Sequence, residues 1–119
     1  MSLDEAKKTL SKAEAIMEKS YAFTRELKLL PIALQHLQSA TEYAWRYNRG
    51  KKPKLLTDLE KITTKRKESP LEFKRKEKLI ICTEDYKTTI IEEKIIKEYL
   101  KKTKRYIEKC KTKNQQEKN

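Results

Sequence analysis

The chain is predicted to be mainly α-helical, an up-down bundle of about four helices with a small β-hairpin at about residues 73–90 before the last helix. Three observations lead there. Only 36% of the 119 residues are apolar and 40% are charged, so each element can bury one face at most, which suits amphipathic helices. One Gly and three Pro leave few places for the tight reversals of a sandwich or barrel. Apolar residues recur at spacings of three and four along most of the chain, and β-branched residues concentrate in two short runs beyond Lys78.

The first helix opens on Ser2-Leu3-Asp4-Glu5, a capping box in which serine and glutamate oxygens satisfy amides of the first turn. Its stripe Leu3, Ala6, Leu10, Ala13, Met17, Tyr21, Thr24 and Leu27 predicts one continuous helix ending near Lys28. Pro31 fits the first turn of a second helix, where its missing amide hydrogen costs nothing, and that helix runs to about Asn48. Its stripe is Leu30, Ala33, Leu34, Leu37, Ala40, Thr41 and Ala44, and the small residues permit the close approach of an antiparallel first helix. Gly50 is expected in the left-handed conformation that ends a helix, with Pro53 preventing continuation. A second capping box, Thr57-Asp58-Leu59-Glu60, predicts a short third helix with Leu55, Leu56, Leu59 and Ile62 as its apolar positions, weakening after Thr64.

Beyond Lys67 the signals change. Ser69-Pro70-Leu71-Glu72 has the form of a helix cap, but Leu79 to Cys82 and Thr88 to Ile91 have the composition of two strands turning at Glu84-Asp85. A hairpin is preferred over a helix interrupted at Thr83. The stripe Ile91, Ile95, Ile96, Tyr99, Thr103, Tyr106, Ile107 and Cys110 then predicts the last helix, supported by ion pairs from Glu93 to Lys97 and from Glu98 to Lys102. Residues 1–110 are read as a single helical domain and residues 111–119 as a polar flexible tail.

Charge is the most informative functional feature. Residues 1–45 hold six basic and six acidic side chains, whereas residues 46–78 hold thirteen and five and supply eight of the twelve net positive charges. Two clusters stand out, Arg46, Arg49, Lys51, Lys52 and Lys54 at the end of the second helix, and Lys74, Arg75, Lys76 and Lys78 on the first strand. Facing one side, they form a surface for RNA or another polyanion. Tyr43, Trp45 and Tyr47 lie next to the first cluster and are candidates for stacking on unpaired bases. The competing reading is a solvated face that only keeps the protein in solution, which suits a Lys, Glu and Ile rich composition of the kind found in thermophile chains.

Other function classes find little support. Phosphate loops need more glycine than this chain has, and no nucleophile elbow is present. His36 is the single histidine, so a ribonuclease reading must rest on it, and a packed or dimer-facing histidine is preferred. No metal or cofactor is expected, since Cys82 and Cys110 are two thiols far apart in sequence and read as small core residues. The longest apolar run is four residues, Leu79 to Cys82, and the N-terminus lacks signal-peptide features, so a cytoplasmic protein without membrane contact is expected.

The stretch from Leu29-Leu30-Pro31-Ile32 to Glu42-Tyr43-Ala44, following Ala13-Glu14-Ala15 in the first helix, resembles the leading hairpin of HEPN domains. That resemblance covers residues 3–48, with an echo in residues 92–110. It implies a bundle that commonly dimerises, here through the first two helices, in a family with many RNases and partners in toxin-antitoxin or defence systems. The arginine-to-histidine motif of the RNase members has no counterpart after His36, so the resemblance implies a catalytically silent relative. The two readings carried forward are a non-catalytic RNA-binding module and a protein-interaction adaptor.

Overall fold

A computed structural model of the chain describes residues 3–69, 71–82 and 87–117. The architecture is the expected mainly helical one, with four helical segments and an antiparallel sheet before the last. Ser2 of the first capping box and the turn residues Glu84 and Asp85 lie outside the described residues.

The first segment is α-helical over Leu3–Ala15 (α1), a π-helix over Ile16–Tyr21, and α-helical again over Ala22–Thr24 (α2). The sequence explains the π segment. Ala13, Met17 and Tyr21 are spaced four apart twice in succession, and each such step drifts an α-helical stripe by about 40°. The wider i→i+5 winding takes up that drift and returns Tyr21 to the core, where it is buried. The segment ends at Thr24, short of the expected Lys28, because Arg25 takes the left-handed conformation (φ 56°) and its amide closes on the Tyr21 carbonyl at 2.8 Å. Thr24 is therefore exposed, and Leu27 is buried from a turn.

Helix α3 (Leu29–Asn48) buries all seven residues of its predicted stripe. Ala33, Ala40 and Ala44 have no exposed surface, which brings α1 and α3 close together. The chain leaves α3 through Arg49 (φ 56°), not through a left-handed Gly50. The position directly after the last helical residue takes the special conformation, and the glycine stands one place too late. Helix α4 (Lys54–Glu68) begins a turn earlier than expected, since Pro53 in extended conformation occupies the N-cap and accepts the amides of Leu56 and Thr57. It also persists past Thr64 to Glu68.

The predicted hairpin is two strands of a three-stranded sheet. Strands β2 (Lys78–Cys82) and β3 (Thr88–Ile91) correspond to the two β-branched runs, and β1 (Leu71–Arg75) pairs with β2 in place of the helix cap read at Ser69 to Glu72. Leu79, Ile81 and Ile91 are buried and attach the sheet to the bundle core. Helix α5 (Glu93–Glu117) buries Ile96, Thr103, Ile107 and Cys110, while Ile91 belongs to β3 and not to this helix. Its backbone stays helical through residues 111–117, where a polar tail was expected. Thr63 of α4 donates to Gln38 of α3 at 2.7 Å, and the hydroxyls of Thr41 and Thr103 lie 3.4 Å apart between α3 and α5.

Candidate functional site

The two predicted basic clusters lie at opposite ends of α3. Arg25, just before α3, reaches Glu77 of the β1–β2 turn at 3.4 Å and Glu93 of α5 at 2.8 Å. This fixes the turn at the N-terminal end of α3, whereas Arg46 to Lys54 surround its C-terminal end. A helix of 20 residues puts about 30 Å between them. The single field expected from merging the two clusters is thereby corrected, because the chain between them runs back along α3 as α4 before it reaches the sheet.

At the C-terminal end the cations are partly engaged. Arg46 pairs with Glu42 at 2.6 Å and Lys52 with Glu60 at 2.5 Å, while Arg49, Lys51 and Lys54 are exposed. Trp45 donates its indole N–H to the Gly50 carbonyl at 2.9 Å, and the Lys52 ammonium lies 5.9 Å from its ring centroid. Tyr43 and Tyr47 pack half-buried against the core. None of the three rings proposed for stacking is fully offered to solvent.

The sheet end differs. Lys74, Arg75 and Lys76 are exposed and Lys78 stands 3.8 Å from Glu92. A third group, unrecognised in the sequence, joins them: Arg66 in the last turn of α4 donates to Glu72 of β1 at 2.8 Å, which brings that turn, with its exposed Lys65 and Lys67, to the strand. The signal for this was present as an arginine six residues before a glutamate, but it has meaning only once α4 is known to end and β1 to begin between them. Strand β1 overhangs the bundle, and all five of its residues are exposed. A further basic strip, Lys101, Lys104, Arg105 and Lys109, lines a groove along α5 with Glu108 among its lysines.

A cleft of about 560 Å³ opens where the β1–β2 turn meets α5, lined by Tyr21, Glu77, Lys78, Glu92, Glu93 and Lys97 among others. Its carboxylates and ammonium groups largely neutralise one another, as in the Lys97 to Glu93 pair at 2.7 Å. Those hydrogen bonds, with Lys97 first and Arg25 after it, hold the Glu93 carboxyl below its ordinary pKa, against an opposing effect of burial. No group of three or more His, Cys, Asp or Glu residues stands in a metal-holding arrangement among the described residues. His36 is half-buried, and burial, followed by the nearby Lys12 of α1, lowers its pKa and favours the neutral ring. Cys110 is buried as expected, but Cys82 is only half-buried on the sheet. No helix among the described residues is long and apolar enough to cross a membrane.

No family model matches this chain, and neither curated proteins nor solved structures include a match.

Proposed function

We propose that this chain is a non-catalytic binding module that holds RNA or a similar polyanion on the basic surface shared by the end of α4 and the β1–β2 hairpin. The observation that carries the reading is the Arg66–Glu72 contact, which brings the last turn of α4, where Lys65 and Lys67 are exposed, to the strand carrying Lys74. A strand of five residues spans about 17 Å, room for several phosphates of an extended single strand. The long α1–α3 pair fits the HEPN-like reading, with self-association through those two helices as part of the same proposal.

Filter binding of single-stranded and structured RNA at two salt concentrations tests it. Affinity should fall steeply with salt, and the combined change Lys65→Glu, Lys67→Glu and Lys74→Glu should lower the logarithmic salt slope by about 2 for a single strand. Lys51→Glu with Lys54→Glu, and Lys101→Glu with Lys104→Glu, should leave the slope nearly unchanged. No binding at low salt, or equal losses from all three surfaces, removes this reading. The ribonuclease alternative ends if His36→Ala leaves any observed cleavage intact. The adaptor alternative has its own support in an exposed apolar face of the sheet.

A further inference from the structure

The alternation of β1 runs opposite to what a sheet packed on a bundle requires. An antiparallel sheet with one covered face points apolar side chains inward and polar ones outward. Register pairs Glu72 with Ile81 and Lys74 with Leu79, so the charged residues of β1 share the face whose partners are buried. Leu71 and Phe73 occupy the opposite, outward face. Phe73 stands opposite Ile80, which stands opposite Ile90, giving one apolar row across all three strands. Leu71 is 60% exposed, Phe73 47% and Ile90 41%, in a chain that is 40% charged. A slip of β1 by one residue would turn these side chains to the other face, so the observed register is what maintains the patch.

At one end of this face Arg75 stands directly opposite Lys78. Like charges at opposed positions are unfavourable unless an anion lies between them. Lys78 has Glu92 at 3.8 Å, whereas Arg75 is exposed with no ion pair among the described residues. Arg75, with no ion pair among the described residues, and Lys78, with Glu92 as its acidic neighbour, leave a net positive charge at the rim of the apolar row, and the complementary surface is an apolar stripe bordered by carboxylates.

We infer that the outward face of the sheet, centred on Phe73, Ile80 and Ile90 and rimmed by Arg75 and Lys78, docks an acidic amphipathic segment of a partner protein. A second copy of this chain fits poorly on this face, since it would bring another Arg75–Lys78 pair against the first. A nucleic acid fits poorly too, because Phe73 is the single ring among Leu71, Phe73, Ile80 and Ile90, and successive bases need successive rings to stack on. This site goes beyond the polyanion surface, which uses the opposite face of β1 and the end of α4.

The test uses the full chain and two synthetic amphipathic peptides with the same leucine stripe, one flanked by glutamates and one by lysines. Titration of the isotope-labelled protein should shift the amide signals of Phe73, Ile80 and Ile90 with the glutamate peptide. By anisotropy the lysine peptide should bind at least about tenfold more weakly. Phe73→Ser with Ile90→Ser should reduce glutamate-peptide binding about tenfold or more, and Arg75→Glu with Lys78→Glu should reverse the peptide preference. Circular dichroism of each variant separates lost docking from lost folding. Equal binding of both peptides, or no effect of Phe73→Ser with Ile90→Ser, overturns the inference while leaving the RNA titration as an independent result. Dimerisation of the chain alone that Phe73→Ser abolishes would assign the face to a second copy, and loss of RNA binding in the same variant would assign it to nucleic acid. Either outcome overturns the acidic partner.

Discussion

The two ends of α3 carry similar numbers of cations and use them differently. At the C-terminal end Lys52 and Arg46 are held by Glu60 and Glu42, and Trp45 is fastened to the Gly50 carbonyl. Charge there completes a helix end. At the sheet end a strand leaves the bundle, exposing Lys74 and Arg75, with Lys76 in the turn after them, and Phe73 and Leu71 on the same strand. A stability role consumes hydrogen-bonding and packing capacity that a binding role must leave open, so neighbouring structure and not charge count separates the two.

The sharpest way to break this contrast is to compare truncations. Leu37→Ala, in the fully buried centre of α3, should cost about 2–5 kcal/mol in urea unfolding, whereas Phe73→Ala should stay within about 0.5 kcal/mol. A cost at Phe73 comparable to that at Leu37 would mean that the outward face is packed in solution. Trp45→Phe should cost about 1 kcal/mol through the lost indole hydrogen bond and leave RNA affinity unchanged. Weakened RNA binding in that variant would return the C-terminal end to the functional surface.

Smaller effects sharpen the description of the sheet end. Arg25→Ala removes the contacts to Glu77 and Glu93, and hydrogen exchange should accelerate in residues 71–82 while α1 and α3 keep their protection. His36 gives the weakest expected effect. Its folded pKa is lowered, so the unfolded chain binds the proton more readily. Stability should therefore be intact above the unfolded value near 6.5 and fall as pH drops towards the folded pKa. His36→Gln should flatten the dependence of the urea midpoint between about pH 7 and pH 5.

What was legible in advance follows local chemistry. The stripes of α3 and α5, the β-branched strands and the antiparallel pairing of the first two helices depend on neighbours within a turn or two. The misplacements have equally local causes seen in hindsight. Arg49 took the left-handed position expected of Gly50 because that position is defined by the last helical residue, and Pro53 preceded the Thr57 capping box. The predicted hairpin merges β1 with β2 into one strand, because Leu71-Glu72-Phe73-Lys74-Arg75 has little β-branched content to mark a strand of its own. Lys76-Glu77 carries no glycine, asparagine or proline to mark a turn, and pairing with β2 supplies the preference β1 lacks.

The amino-acid order by itself determined the helical class, the buried stripes and the excess of positive charge, since periodicity and composition act on residues close along the chain. Tertiary structure alone decided which cations meet and which side of β1 faces outward. Those outcomes depend on contacts such as Arg25 with Glu77, fifty-two residues apart, and on a strand register that alternation leaves undecided between two faces.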